Sequence, residues 1–129
     1  MIERSQPMAY HVHRKEDADR TKKVEPWGNL SWMAGEHLNN AQAITFGRVV
    51  INKGESNPRH CHSNCEEILY LLTGKLDHSI GDDHVILNPG DTLIVKPGVF
   101  HNAVSIGEEQ ADMIVAYSAG IRNFELESE

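Results

Sequence analysis

The residues best suited to chemistry in this chain are His60-Cys61-His62. In an extended backbone, residues i and i+2 point to the same face, so the two imidazoles form a clamp for a divalent ion. Glu66 and Glu67 follow after the turn-forming run Ser63-Asn64-Cys65, and a carboxylate returning on the next strand can supply a third ligand. Neighbouring strand residues face opposite ways, so only one of these two can point inward. Far along the chain, His101 lies just past the Pro97-Gly98 turn and can supply a fourth ligand. Three imidazoles and one carboxylate make a nitrogen/oxygen set suited to divalent Fe, Mn, Zn, Ni or Co. The set contains no thiolate, which argues against a closed structural zinc site. A metal with open positions is a Lewis acid or a dioxygen-binding centre.

The remaining histidines are weighed against this cluster. His11-Val12-His13 repeats the same spacing, but it sits in a charged segment with no carboxylate return. It is expected to be a decoy. His37 and His84 read as surface or structural residues, while His78, on a strand, is a candidate for lining the interior. Cys61 and Cys65 are spaced C-x3-C and read as two free thiols in a reducing compartment. Arg48, on an apolar strand, is either an inward, substrate-binding cation or a surface arginine whose stem lies along the strand.

The elements that position these residues are short strands separated by turn chemistry. Segment 43–51 is rich in β-branched residues and ends at Asn52-Lys53-Gly54. Segment 67–73 is an apolar strand stopped by Gly74. Segments 75–80 and 84–87 read as a hairpin about Gly81-Asp82-Asp83. Further strands are expected at 92–95, 101–106 and 111–117. Such spacing indicates an all-β sandwich or small barrel. If Glu67 points inward, Leu69, Leu71 and Thr73 share its face, and Ile68, Tyr70 and Leu72 face the other way. The divisions expected are an N-terminal arm over 1–39, a β-barrel over 40–118 and an acidic tail over 119–129. Trp27 to Met33 reads as a strand of the arm that contacts a second subunit.

Taken together, these residues resemble the cupin family. Its first motif, G-x5-H-x-H-x4-E-x6-G, is matched at every fixed position by Gly54, His60, His62, Glu67 and Gly74. Its second motif, G-x5-P-x-G-x2-H-x3-N, is matched at Gly90, Gly98 and His101. Lys96 stands in place of its proline and Ser105 in place of its asparagine. The 15 residues from Lys75 to Pro89 are the short spacer of compact single-domain members. The resemblance implies an all-β double-stranded β-helix, or jelly roll, with a short N-terminal arm. It makes His60, His62, Glu67 and His101 the ligands of one divalent transition metal. It also implies a small oxygenated substrate that chelates the metal, in a dioxygenase or in an isomerase, lyase or cyclase. A non-catalytic module that binds a small molecule or a metal is the alternative. Glu66, Tyr70 and His78 are the candidate catalytic acid/base residues, with Tyr117 beside them. A mouth plugged by Phe100 or a tryptophan would favour the non-catalytic role.

Charge and composition limit the partners. Twelve Lys and Arg against nineteen Asp and Glu give a net charge of −7, which argues against a nucleic-acid partner. No run approaches the roughly 18 apolar residues of a membrane span. Met1 to Tyr10 contains no apolar run, so no secretion signal is expected, and a cytoplasmic location follows as an expectation. The expected partners are a small-molecule substrate and a second copy of the chain in a homodimer.

Overall fold

Runs of Val, Ile, Leu and Thr between Gly and Pro turns become strands in the computed structural model, which describes residues 9–128. A short helix α1 (Lys15–Arg20) comes first. It is followed by β1 (Lys23–Glu25), β2 (Gly28–Ala34), a 3-10 turn (Glu36–Leu38), β3 (Thr45–Ile51), β4 (His60–Cys61) and β5 (Glu67–Thr73). Then come β6 (Leu76–Ile80), β7 (Asp83–Leu87), β8 (Thr92–Val95), β9 (His101–Ser105), β10 (Ala111–Tyr117) and β11 (Glu125–Leu126). One sheet has the order β1-β2-β3-β10-β5-β8 and the other β11-β4-β9-β6-β7. All pairings are antiparallel, and together the sheets form a double-stranded β-helix. Among the described residues no helix is long and apolar enough to cross a membrane.

The period-2 pattern decides which side chains face inward. On β5, Glu67, Leu69 and Leu71 are buried, while Ile68, Tyr70 and Leu72 are exposed. Thr73 is exposed as well. Strands on both sides hold this register, with Glu67 opposite Tyr117 on β10 and opposite Val95 on β8. A slip of one residue would put Glu66 inside and expel the core leucines. Inward positions change character along the strands. On β5 they run Glu67, Leu69, Leu71, and on β9 they run His101, Ala103, Ser105. One end of the interior is therefore polar. The other is an apolar plug in which Ile51, Leu71 and Leu76 have no exposed surface. Burying each such side chain stabilises the fold by about 1.5–3 kcal/mol.

Two glycines of the motifs have backbone reasons to be glycine. Gly74 has φ +90°, and a Cβ there would stand 2.7 Å from Ala111 Cα. Gly98 has φ +80° in the turn before His101, and its N–H donates to the carbonyl of His62 at 2.9 Å. Both need the left-handed region that side chains disfavour.

Two expectations need revision, and one alternative is decided. From Lys23 the N-terminal region is part of the sheet rather than an arm, because β2 pairs with β3 from Gly28↔Ile51 to Ala34↔Phe46. β2 thereby caps the edge β3 would otherwise expose. Trp27 and Trp32 pack on this chain's own core. Residues 1–8 of that region lie outside the described residues. The segment foreseen as an acidic tail instead folds back, with β11 pairing with β4. Arg48 points outward and pairs with Asp112, since the inward positions of β3 belong to Thr45, Gly47, Val49 and Ile51.

Candidate metal centre

β4, β5 and β9 bring His60, His62, Glu67 and His101 together from three parts of the chain. Their ligand atoms all lie within 4.8 Å of one another, and all four residues are buried. β4 places His60 directly opposite His101. The turn through Gly98, anchored on the carbonyl of His62, brings the two histidine segments into register.

Each imidazole is oriented by a backbone carbonyl. His60 Nδ1 lies 2.7 Å from Pro58 O, His101 Nδ1 2.9 Å from Val99 O, and His62 Nδ1 2.8 Å from Asn123 O. A carbonyl only accepts, so Nδ1 donates and the neutral ring carries its lone pair on Nε2. This is the arrangement by which outer partners aim metal-binding histidines. His101 Nε2 is 2.9 Å from Glu67 Oε1. His62 Nε2 approaches the same oxygen to 3.4 Å without hydrogen-bond geometry, and it is a buried nitrogen with no hydrogen-bond partner.

The electrostatics suit a cation. Burial alone would raise the Glu67 carboxyl, but the His101 hydrogen bond and the proximity of the His101 and His62 rings hold it well below the usual carboxylate range. Burial pushes His101 down, yet the Glu67 carboxylate overrides it and holds the imidazole above its ordinary value. His60 is pushed down to about 4, chiefly by burial. The buried carboxylate thus holds one proton on His101. A divalent ion supplies positive charge at the same place and also satisfies His62 Nε2. Metals of this class bind nitrogen and oxygen at about 2.0–2.2 Å, so opposed ligands stand roughly 4.3 Å apart. The residues present fit a divalent ion.

The cluster opens into a cavity of about 340 Å³ lined by Leu30, Val49, Leu69, Met113, Val115 and Tyr117. His78 also lines it, stacked on His101 with ring centroids 5.8 Å apart. Its Nδ1 donates to Ser79 O at 3.0 Å, leaving Nε2 as a base, and burial lowers its pKa to about 4. The other two candidate catalytic residues stand elsewhere. Glu66 is on the outward side of β5, where the Lys96 ammonium holds it at 3.0 Å. Lys96 is one of the two departures from the second motif. Tyr70 is exposed on the outer face. Alternation on β5 makes both outward wherever Glu67 is inward, so neither borders the cavity. Tyr117 does border it, fully buried, with its ring 4.9 Å from that of His62. At the other departure, Ser105 Oγ is buried without a partner.

The strap formed by residues 119–126 contributes residues that motif reasoning did not find. Thr45 Oγ1 donates to Ala119 O at 2.6 Å, Asn64 Nδ2 donates to Ile121 O, and Asn123 N–H donates to Asn64 Oδ1. Asn123 O then receives the His62 Nδ1–H. The Phe124 ring stacks on His60, with centroids 4.8 Å apart and planes 23° apart. Phe124 and Trp27 line the cavity, and Phe100 does not. Arg122 also lines the cavity and forms the wall toward a second, more open hollow bounded by Trp32, His37 and Thr45. The only available signal was an aromatic and a cation, Phe124 and Arg122, inside an otherwise acidic stretch.

Comparison with known proteins agrees with this architecture. The Cupin domain family profile matches residues 47–117. Oxalate oxidase GF-2.8 of Triticum aestivum is 25% identical over 88 residues, covering 62% of this chain and 39% of that protein. The chain spans about two fifths of the length of such curated relatives. Oxalate decarboxylase of Bacillus subtilis superposes with a TM-score of 0.78 at 16% identity, over 86% of this chain and 31% of that one. An uncharacterized conserved protein with a double-stranded β-helix domain from Klebsiella pneumoniae superposes with a TM-score of 0.73 at 18% identity. That match covers 87% of this chain and 95% of the other. With more than half its length matched by the family profile and both motif histidine segments joined at one buried cluster, the chain belongs to the cupin family.

Proposed function

We propose that the protein is a divalent-metal enzyme acting on a small oxygenated substrate that chelates the metal. One observation carries the reading: the ligand nitrogens of three imidazoles and the Glu67 carboxylate converge on the wall of an interior cavity. A metal there would supply Lewis acidity or a dioxygen-binding position, and His60, His62, Glu67 and His101 would hold it. The chain's own contributions are distinct. The carbonyls of Pro58, Val99 and Asn123 keep the imidazoles aimed. Leu69, Met113 and Val115 exclude water from the cavity floor. His78 Nε2, neutral at pH 7, can take a proton from a substrate carbon or hydroxyl, and the Tyr117 hydroxyl can return one. The similarity to oxalate oxidase and oxalate decarboxylase supports an enzyme, and the substrate and reaction remain this proposal's own.

The test is metal analysis of the purified protein, followed by oxygen uptake by the Fe²⁺-loaded form against 1,2-diols, β-diketones and hydroxy acids. Near-stoichiometric metal and turnover of one class are expected. Stoichiometric metal without oxygen uptake leaves the isomerase, lyase and cyclase chemistries, followed by product analysis. Stoichiometric metal with no product of any kind makes the protein a binding module. We also propose a homodimer through the outer face of the six-stranded sheet, where Ile68 and Ile94 pair across β5 and β8 and both are exposed. Light scattering at micromolar concentration is expected to give twice the chain mass, and a monomer overturns this.

A further inference from the structure

Arg122 is the unusual charge of the cavity. Lys23 and Glu25 also line it, but they pair with each other at 3.3 Å. Among the described residues no carboxylate lies within ion-pair distance of Arg122. Its guanidinium is held by three rings instead: 4.4 Å from the Trp32 centroid, 5.1 Å from Tyr117 and 5.7 Å from Phe124. The residues on either side of Arg122, Ile121 and Asn123, carry hydrogen bonds that hold the strap. Stacking on aromatic faces fixes a guanidinium while leaving its N–H edge free for a planar, bidentate acceptor. Two of the same rings touch the cluster, Tyr117 against His62 and Phe124 against His60. The cation therefore stands one ring away from the ligand histidines and lines the same cavity, which is at the small end of the ligand-pocket range.

We propose that Arg122 is a carboxylate-binding residue, holding the far carboxylate of a short organic acid whose other end chelates the metal at His60, His62, Glu67 and His101. This rests on the reading of that cluster as a metal centre. The charge balance agrees. Glu67 is the single carboxylate of the cluster, so a bound divalent ion leaves it net positive, and Arg122 adds a second positive charge. The metal cluster and Arg122 thus both select for an anion, and the rest of the lining is chiefly apolar.

The experiment compares malate with 2-hydroxybutyrate, acids of equal chain length that share the hydroxy-acid chelating end. They differ by a carboxylate against a methyl group at the far end. Calorimetric titration is run on the zinc-loaded wild type, R122K and R122Q, with zinc content measured for each. The wild type is expected to prefer malate by at least about tenfold, the usual size of a charge-assisted hydrogen bond. R122Q is expected to erase the preference with zinc content unchanged, and R122K to restore part of it. Equal binding of the two acids by the wild type, binding of neither, or a preference that survives in R122Q overturns the assignment. Loss of zinc from R122Q makes Arg122 a prop for the strap and overturns it too. A wild type that takes up no zinc overturns the metal centre itself, a separate failure from a zinc-loaded protein indifferent to Arg122.

Discussion

His11-Val12-His13 and His60-Cys61-His62 have the same local spacing and different fates. The first pair lies outside the sheets, with ring centroids 6.3 Å apart and His11 exposed. The second pair is buried, with centroids 4.9 Å apart and each ring tied to a carbonyl. A His-x-His clamp therefore needs more than its spacing. It needs a strand partner, here His101 opposite His60, and a carboxylate return, here Glu67. The first pair has neither, and the cluster able to hold a metal among the described residues forms only at the second.

The comparison breaks most visibly if ligands are removed from each pair. H60A or H62A is expected to lower metal affinity by more than about 100-fold, since outer partners alone account for 10–100-fold. H11A with H13A is expected to leave it unchanged. Metal-competition titration of the variants checks this, and equal losses would erase the distinction between the pairs. The next largest effect concerns the strap, which only the second pair uses. Truncation after Ile121 removes the Asn123 carbonyl from His62 and the Phe124 ring from His60. Metal affinity is expected to fall by about 10–100-fold while the far-ultraviolet dichroism stays that of a β protein.

The pH dependence sharpens the comparison further. The Glu67 carboxylate holds a proton on His101, whose pKa lies above its ordinary 6.5, so metal must displace that proton. Lowering the pH through that value weakens metal binding by up to about tenfold per unit, one proton per ion. His60 adds a second proton only below about pH 4. In the metal-free protein, the depressed Glu67 stabilises the fold above its ordinary 4.5, and this is lost as pH falls. The contribution of His101 is complete below 6.5 and is lost as pH rises through its raised value. His60 and His78, both lowered to about 4, cost stability as the pH falls below 6.5. The thermal midpoint of the metal-free protein is therefore expected to peak at about 6.5, which denaturation scans across pH measure. The smallest effect is expected at the outward face of β5. E66Q and Y70F should change stability by less than about 0.5 kcal/mol and leave metal affinity unchanged. A large loss of affinity in E66Q would show that the β5 register admits Glu66.

Much of the fold was legible because its cues are local. Val, Ile and Leu runs broken by Gly54, Gly74, Gly90 and Gly98 define strands wherever the backbone must turn through positive φ. The ligands were legible for the same reason. The i, i+2 histidines share a face, and the single inward parity of β5 separates Glu67 from Glu66. Arg48 stayed open between an inward and a surface position because an apolar strand has two faces, and its composition alone does not tell which one meets Asp112. The region from Lys23 to Ala34 was misjudged because which edge a strand joins depends on pairing over long separations.

By itself, then, the sequence determined the strand series, the four candidate ligands and the family, all properties of period, turn chemistry and spacing. Only the tertiary structure decided that residues 119–126 pass beside the site. The bond from His62 to Asn123 spans 61 positions, and the Arg122 cation is held by rings from β2, β10 and its own strap. Such contacts have no period and no motif. They arise because β4 is short, its free edge needs a partner, and the strap that supplies β11 must cross the cavity to reach it.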